Sequence, residues 1–280
     1  MNQTTRNIFV FTIIVVLCGW LGVFVDSFLT EQPEGNTLGM GIWLVFPMLT
    51  AIVLILYSKI SWKEIGIKPN FKGNLRWYLI SVLIFPAVTV TILVIGNAFK
   101  WIDMSELNLR TFTGVFFSTI LIGFIKNIFE ETVWRGFLTS QLVKLNLTDW
   151  KIYLLVGSVW GIWHVPYYMM FLPETDMQVV LPVSRIIFTV VAILTMICWS
   201  IMFIELYRIT NSIWPCVLLH TVEDSLINPL VISGFISISS GKEIVISPIC
   251  GVITSLLYLS VGLAIKASRR RQTKVQSTVC

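Results

Sequence analysis

Only two histidines occur in the 280 residues, His164 and His220, and each lies inside a stretch that is otherwise apolar. A third such stretch runs into Glu130 and Glu131, with Arg135 four residues further on. Ionisable groups in apolar stretches of this kind are costly, about 2.5 to 3.5 kcal/mol each on insertion scales, so they face a cavity or a partner and mark function. A lone histidine in an apolar helix is usually a packing residue. Two of them, with a carboxylate pair in a third stretch, point to shared chemistry, in which a carboxylate and an imidazole activate a water. Buried Glu, His and Asp also form proton relays in transporters, so the residues alone leave that alternative open.

Helical geometry says which groups can cooperate. Glu131 and Arg135 are at i,i+4 and share a face, so the guanidinium can keep that carboxylate ionised. Glu130 is rotated by about 100° from Glu131, which lets the two do different work. His220 and Asp224 are again at i,i+4, a spacing that allows the carboxylate to orient the imidazole. Trp160 precedes His164 by one turn and could wall the site off from water.

These residues need elements to hold them. With 56% hydrophobic and 12% charged residues, the chain has more apolar surface than a soluble core of this length can use, so lipid is its solvent. About eight stretches are long enough to cross a hydrocarbon core as helices: Ile8–Leu29, Leu38–Tyr57, Trp77–Phe99, Phe112–Phe129, Trp150–Leu172, Val179–Ile204, Ile213–Ile232 and Ile244–Ala267. Their apolar residues are consecutive rather than alternating, which excludes a barrel and predicts an all-α polytopic membrane protein. Residues 1–280 read as a single membrane domain, with no soluble domain and no repeat. The first stretch, preceded by Arg6, reads as a retained helix rather than a signal peptide.

Basic residues set the expected orientation. Lys59, Lys63, Lys68, Lys72 and Arg76 in one connection, and Lys266, Arg269, Arg270, Arg271 and Lys274 in the tail, outweigh Lys100, Arg110, Arg185 and Lys242 on the other side. Both termini are therefore expected in the cytoplasm, in the plasma membrane. The net charge of +5 needs no nucleic acid, since basic residues beside anionic lipid account for it. The connection Ser58–Arg76 reads as a basic loop, with a short interfacial helix as the alternative and Trp62 and Trp77 as anchors. The five cysteines, Cys18, Cys198, Cys216, Cys250 and Cys280, form no CxxC pair and read as packing residues. With Cys280 as its last residue, the chain is not expected to carry a prenylation box of its own.

Depth then locates the site. Glu130 falls near the cytoplasmic end of the fourth span and His220 about 10 Å into the seventh, which implies a cytoplasm-facing cavity. His164 fits less well, at about 20 Å from Trp150, and comes level only if its span starts nearer Leu154.

The pattern resembles the CAAX prenyl endopeptidase and bacteriocin-processing family of intramembrane proteases, the CPBP family, characterised by EExxxR, FxxxH and HxxxN in successive core helices. Here the first motif is Glu130, Glu131 and Arg135, followed by the typical Gly136; the second is Trp160 and His164; the third is His220 and Asp224. Trp160 replaces phenylalanine, Asp224 replaces asparagine, and Asn211 to Pro215 resembles the family's approach to the last histidine. The likeness covers 112–224, within an expected catalytic core of 112–232. It implies hydrolysis of a peptide or membrane-protein substrate by an activated water. Glu130 would be general base, His164 would polarise the water, and Glu131 with Arg135 would hold the glutamate helix. His220 would face the oxyanion, with Asp224 fixing it, because an ionised aspartate cannot donate as asparagine does. The resemblance favours no cofactor. The alternative is zinc on Glu130, His164 and His220 with an open position for water, although HExxH is missing.

Non-enzymatic readings are a bacteriocin self-immunity protein or a transporter, and the lack of two related halves counts against the transporter. A rhomboid-type serine protease lacks its GxSxG, and Asp26 with Asp224 makes a poor presenilin-type pair.

Overall fold

A computed structural model describes residues 2–33 and 35–279, with side chains as far as residue 272. Cys280 and the side chain of Lys274, both used above, lie outside the described residues. The elements in chain order are α1 (Gln3–Asp26), α2 (Leu38–Tyr57), α3 (Trp62–Ile65), α4 (Leu75–Ala98), β1 (Ile102–Asp103) and α5 (Leu109–Glu131). A π-helical stretch, Thr132–Thr139, continues α5 into α6 (Ser140–Val143). Then come α7 (Asp149–Trp163), a second π-helical stretch (Tyr167–Phe171), α8 (Glu174–Val180), α9 (Arg185–Thr210), α10 (Trp214–Ile232), β2 (Ser237–Ile238), α11 (Glu243–Ile246) and α12 (Val252–Val279). The all-α expectation holds, and the only sheet among the described residues is the two-residue antiparallel pair β1–β2.

Six helices are long and apolar enough to cross a membrane: α1, α2, α4, α5 continued to Val143, α9, and α12 as far as Gln272. The chain is an integral membrane protein. The two expected spans outside this set are the ones that carry the histidines. Helix α7 has 15 residues, because Pro166 follows it and His164 caps its end, donating its backbone N–H to Gly161 and Ile162. Helix α10 has 19 residues, but His220, Glu223, Asp224 and Asn228 interrupt its apolar run. Helix α7 itself starts at Asp149.

The chain divides into two compact units, Met1–Ile67 with Phe129–Ile197, and Lys68–Ile128 with Cys198–Cys280. In the first, α1 packs along α2 through glycines: a Cβ on Gly22 would meet the Gly39 carbonyl oxygen at 2.3 Å, and one on Gly19 would meet Pro166 at 2.7 Å. Without a hydrophobic driving force between helices in lipid, such close backbone approach is what drives association. Phe11 of α1 reaches the rings of Phe137 and Trp134 in the π-helical stretch. In the second unit, α4 packs on α10 and α12, and Phe85, Trp199 and Tyr258 join as a ring cluster.

Between α2 and α4, the basic connection holds one four-residue helix, capped by Ser61, and is otherwise loop. Trp62 is exposed, as an interfacial anchor should be, whereas Trp77 is buried with the Arg76 guanidinium over its ring. The four described cysteines are free thiols; Cys18 donates to the Val15 carbonyl and Cys216 to that of Phe203, as packing residues in helices do.

Candidate active site

The first unit carries Glu130, Glu131, Arg135 and His164. Glu130 and Glu131 end α5, both buried, and the backbone then widens into the π-helical stretch. Such widened turns concentrate at functional sites. Arg135 is fully buried within it, and its Nη1 donates to Glu131 Oε1 at 2.8 Å. Burial without the partner would leave an uncompensated charge in lipid, so the pair stands or falls together. The guanidinium also lies over the ring of Trp160, 4.3 Å from its centroid. An apolar setting strengthens that cation–π contact relative to water.

Trp160 connects this pair to the histidine. Its carbonyl oxygen lies 2.9 Å from His164 Nδ1. A carbonyl can only accept, so Nδ1 carries the proton and the lone pair of the neutral ring lies on Nε2, the nitrogen suited to accept from a water. The imidazole is half-buried among aromatic rings: it stacks on Tyr168 at 5.6 Å and meets Trp163 and Trp43 edge-on. Trp43 and Trp163 stack at 4.2 Å and exchange hydrogen bonds, each indole N–H donating to the other's carbonyl. The aromatic wall expected of Trp160 alone is thus built mostly by Trp43, Trp163 and Tyr168.

Beyond His164, the second π-helical stretch is held by Arg185, whose Nη1 donates to the carbonyls of Tyr168 and Leu172 at 2.7 and 2.9 Å. Glu174 pairs with the same guanidinium at 2.9 Å.

His220 and Asp224 belong to the second unit, on α10. The carboxylate of Asp224 receives Lys126 Nζ at 3.1 Å on Oδ1 and 2.9 Å on Oδ2, and Asn127 Nδ2 at 2.7 Å on Oδ2. Asn228 adds a long contact of 3.5 Å from the next turn. The i,i+4 spacing suggested His220 as its partner; among the described residues its hydrogen bonds come instead from α5 and Asn228. Buried His220 has an oxygen of buried Glu223 3.9 Å from its Nε2.

His220, Glu223 and Asp224 can each bring one ligand atom within 4.8 Å of the others. They do not fit a divalent ion well, because the Asp224 carboxylate is already neutralised by the Lys126 ammonium.

The whole constellation lies within one matched stretch. Residues 111–226 match the family model of Rce1-like proteins, type II CAAX prenyl endopeptidases. No curated protein matches the chain. The Rce1-like stretch starts at the beginning of α5 and ends two residues beyond Asp224, so it contains Glu130, Glu131, Arg135, His164, His220 and Asp224. It is the CAAX-endopeptidase family that the three motifs resemble. Trp43, which frames His164, comes from outside the Rce1-like stretch.

Lys126, Asn127 and Glu223 were not assigned from sequence. Lys126 and Asn127 do stand out as consecutive polar residues in the run Ile120 to Phe129, one turn before the glutamates, and that was the available signal. Arg185 was counted from sequence only as an outer topology charge, and nothing in its spacing linked it to His164.

Proposed function

We propose that the chain is an intramembrane endopeptidase of CAAX type that hydrolyses a peptide bond with a water activated by glutamate and histidine. Glu130 takes the proton as the water oxygen attacks the scissile carbonyl carbon, and returns it to the leaving amide nitrogen. His164 Nε2 accepts from the same water, and its carbonyl-fixed tautomer keeps that lone pair available. Arg135 neutralises Glu131 and leaves Glu130 as the carboxylate for proton transfer. His220 donates to the developing oxyanion, and Asp224 serves as the counter-ion of Lys126. The substrate is the C-terminal peptide of a prenylated protein, a leader peptide or another membrane protein, and no metal takes part.

The observation that carries this reading is the chain of contacts from Glu131 through Arg135 and the ring of Trp160 to the backbone bond on His164. It ties the first two family motifs physically together, which a pair of packing residues would not require. The test is cleavage of a prenylated CAAX peptide, and of its unprenylated counterpart, by purified protein. Glu130→Gln preserves size and hydrogen bonding, so it is expected to fold normally and lose at least about 100-fold in turnover. Near-native turnover by that variant removes Glu130 from the chemistry. No cleavage of any peptide by folded wild-type protein favours an immunity-type or transport role.

A further inference from the structure

Helices α4 and α12 frame a groove of about 690 Å³ lined by Gly73, Arg76, Trp77, Ile80, Ser268 and Arg271. It shares no lining residue with the candidate active site and is found at the end where α4 begins and the apolar part of α12 gives way to the basic run Arg269 to Arg271. Arg76 and Arg271 are both exposed, and among the described residues neither has a carboxylate partner. The Glu205 carboxylate of α9 is taken by Arg269 and Arg208. Two unneutralised guanidiniums on one concave surface repel each other unless an anion lies between them.

Several features make that surface a receptor rather than a charged rim. Arg76 lies with its Cζ 5.0 Å from the centroid of the buried Trp77 ring, which restrains the fork that would grip the anion. Gly73 has φ +78°, and a Cβ placed there would meet nothing within 4 Å, so the backbone at the mouth is open. Asn74 makes no side-chain cap on α4, leaving the first-turn N–H groups of this 24-residue helix without a side-chain acceptor from their own N-cap. Below the groove, Leu79 and Leu83 of α4 are each 60% exposed, a surface suited to an acyl chain.

We propose that this groove binds the phosphodiester headgroup of an anionic phospholipid, with Arg76 and Arg271 on the phosphate and the acyl chain along α4. Guanidinium forks match phosphate in a bidentate manner, and basic pockets between helices at the membrane surface are where anionic headgroups bind. The position at the end of the apolar helix lengths, with hydrocarbon-compatible side chains on one side only, selects a lipid over a free anion.

The test uses the full chain in uncharged detergent and short-chain phosphatidylglycerol as the probe, with bound lipid counted by native mass spectrometry and thermal unfolding followed in parallel. Phosphatidylglycerol is expected to bind and raise the unfolding midpoint, while phosphatidylcholine and millimolar inorganic phosphate do neither. Arg76→Gln and Arg271→Gln should each weaken binding about fivefold and the double variant about thirtyfold, with an unchanged lipid-free unfolding midpoint showing that the fold persists. The exposed pair Lys68→Gln and Lys72→Gln removes the same charge outside the groove and should leave binding nearly unchanged. Equal loss from the lysine pair reduces the effect to general surface attraction and overturns the proposal. So does equal binding of phosphatidylcholine, and inorganic phosphate matching phosphatidylglycerol assigns the groove to free phosphate instead.

Discussion

Lys126 Nζ lies 2.9 Å from Asp224 Oδ2, pairing a cation on α5 with the one motif residue where this chain departs from the family's asparagine. An aspartate there adds a charge to an apolar helix, and a lysine in the facing element removes it. Sequence alone predicts that Asp224→Asn costs little, since the amide can still accept a hydrogen bond. The pairing predicts otherwise: the substitution removes the Asp224 charge that faces Lys126. The side chains are 32% and 19% exposed, so the expected loss is about 1 to 2 kcal/mol rather than the 3 to 5 of a fully buried broken pair. Lys126→Met in the Asp224→Asn background should restore the unfolding midpoint. A double variant as unstable as the single one would show that the ion pair does not set the cost.

Arg135 predicts a sharper contrast. Its side chain is fully buried, bonded to Glu131 and laid over Trp160, so Arg135→Gln should cost about 3 to 5 kcal/mol and abolish accumulation of folded protein. Trp160→Phe retains a ring face for the guanidinium and should stay within a few-fold of native activity, whereas Trp160→Leu loses the cation–π contact and falls further. The yield of folded protein checks the arginine variant, and thermal unfolding of the purified Trp160 variants checks their order. Equal behaviour of the Phe and Leu variants would remove the ring face from the account.

How much of this was legible in the sequence follows from the range of each interaction. Glu131 with Arg135 is an i,i+4 pair within one helix, and it formed as its spacing required. The His220–Asp224 spacing is equally good, yet Asp224 turned to Lys126 and Asn127, nearly a hundred residues away. Local geometry permits a bond; which of two permitted bonds forms is decided by a packing partner that periodicity does not reveal. Span lengths were readable for the lipid-facing helices, and α2 begins and ends where its apolar run does. Past His164 the apolar run stays helical as well, but α7 stops at Trp163 and, beyond Pro166 with its missing N–H, the chain continues as the π-helical stretch Tyr167–Phe171, a change of helix type that hydrophobicity does not report.

Metal dependence gives a direct reading of Asp224. If its carboxylate serves Lys126, cleavage should be unchanged by a chelator such as o-phenanthroline, and added zinc should not rescue Asp224→Asn. Activity lost with chelator and regained with zinc would make the carboxylate a ligand and displace the lysine from its role.

Orientation is testable on the basic connection. Arg76 and Arg271 line one groove, so the connection before α4 and the end of α12 must label from the same face. A single cysteine at Lys72, in a background lacking the native thiols, should react with an impermeant maleimide only when the cytoplasmic face of sealed vesicles is accessible. Reaction from the outer face alone would invert the topology and favour substrates processed outside the cell.

Arg185 provides the last prediction, because it acts on His164 at one remove. It donates to the carbonyls of Tyr168, within the π-helical stretch, and Leu172, just after it, and Tyr168 is the ring on which His164 stacks. Removing the guanidinium frees two carbonyls and loosens the face that orients the imidazole, without touching substrate. Arg185→Ala should therefore lower kcat by about tenfold for a misplaced catalytic group while leaving KM within about twofold. Arg185→Lys cannot hold both carbonyls with a rigid fork and should recover only part of kcat. Glu174 is 57% exposed in its side chain and contributes little to the clamp, so Glu174→Gln should leave kcat nearly native. A parallel fall of kcat and unfolding midpoint in all three variants would make Arg185 a fold element only. A kcat effect confined to the arginine variants, at constant midpoint, places it among the residues that position His164.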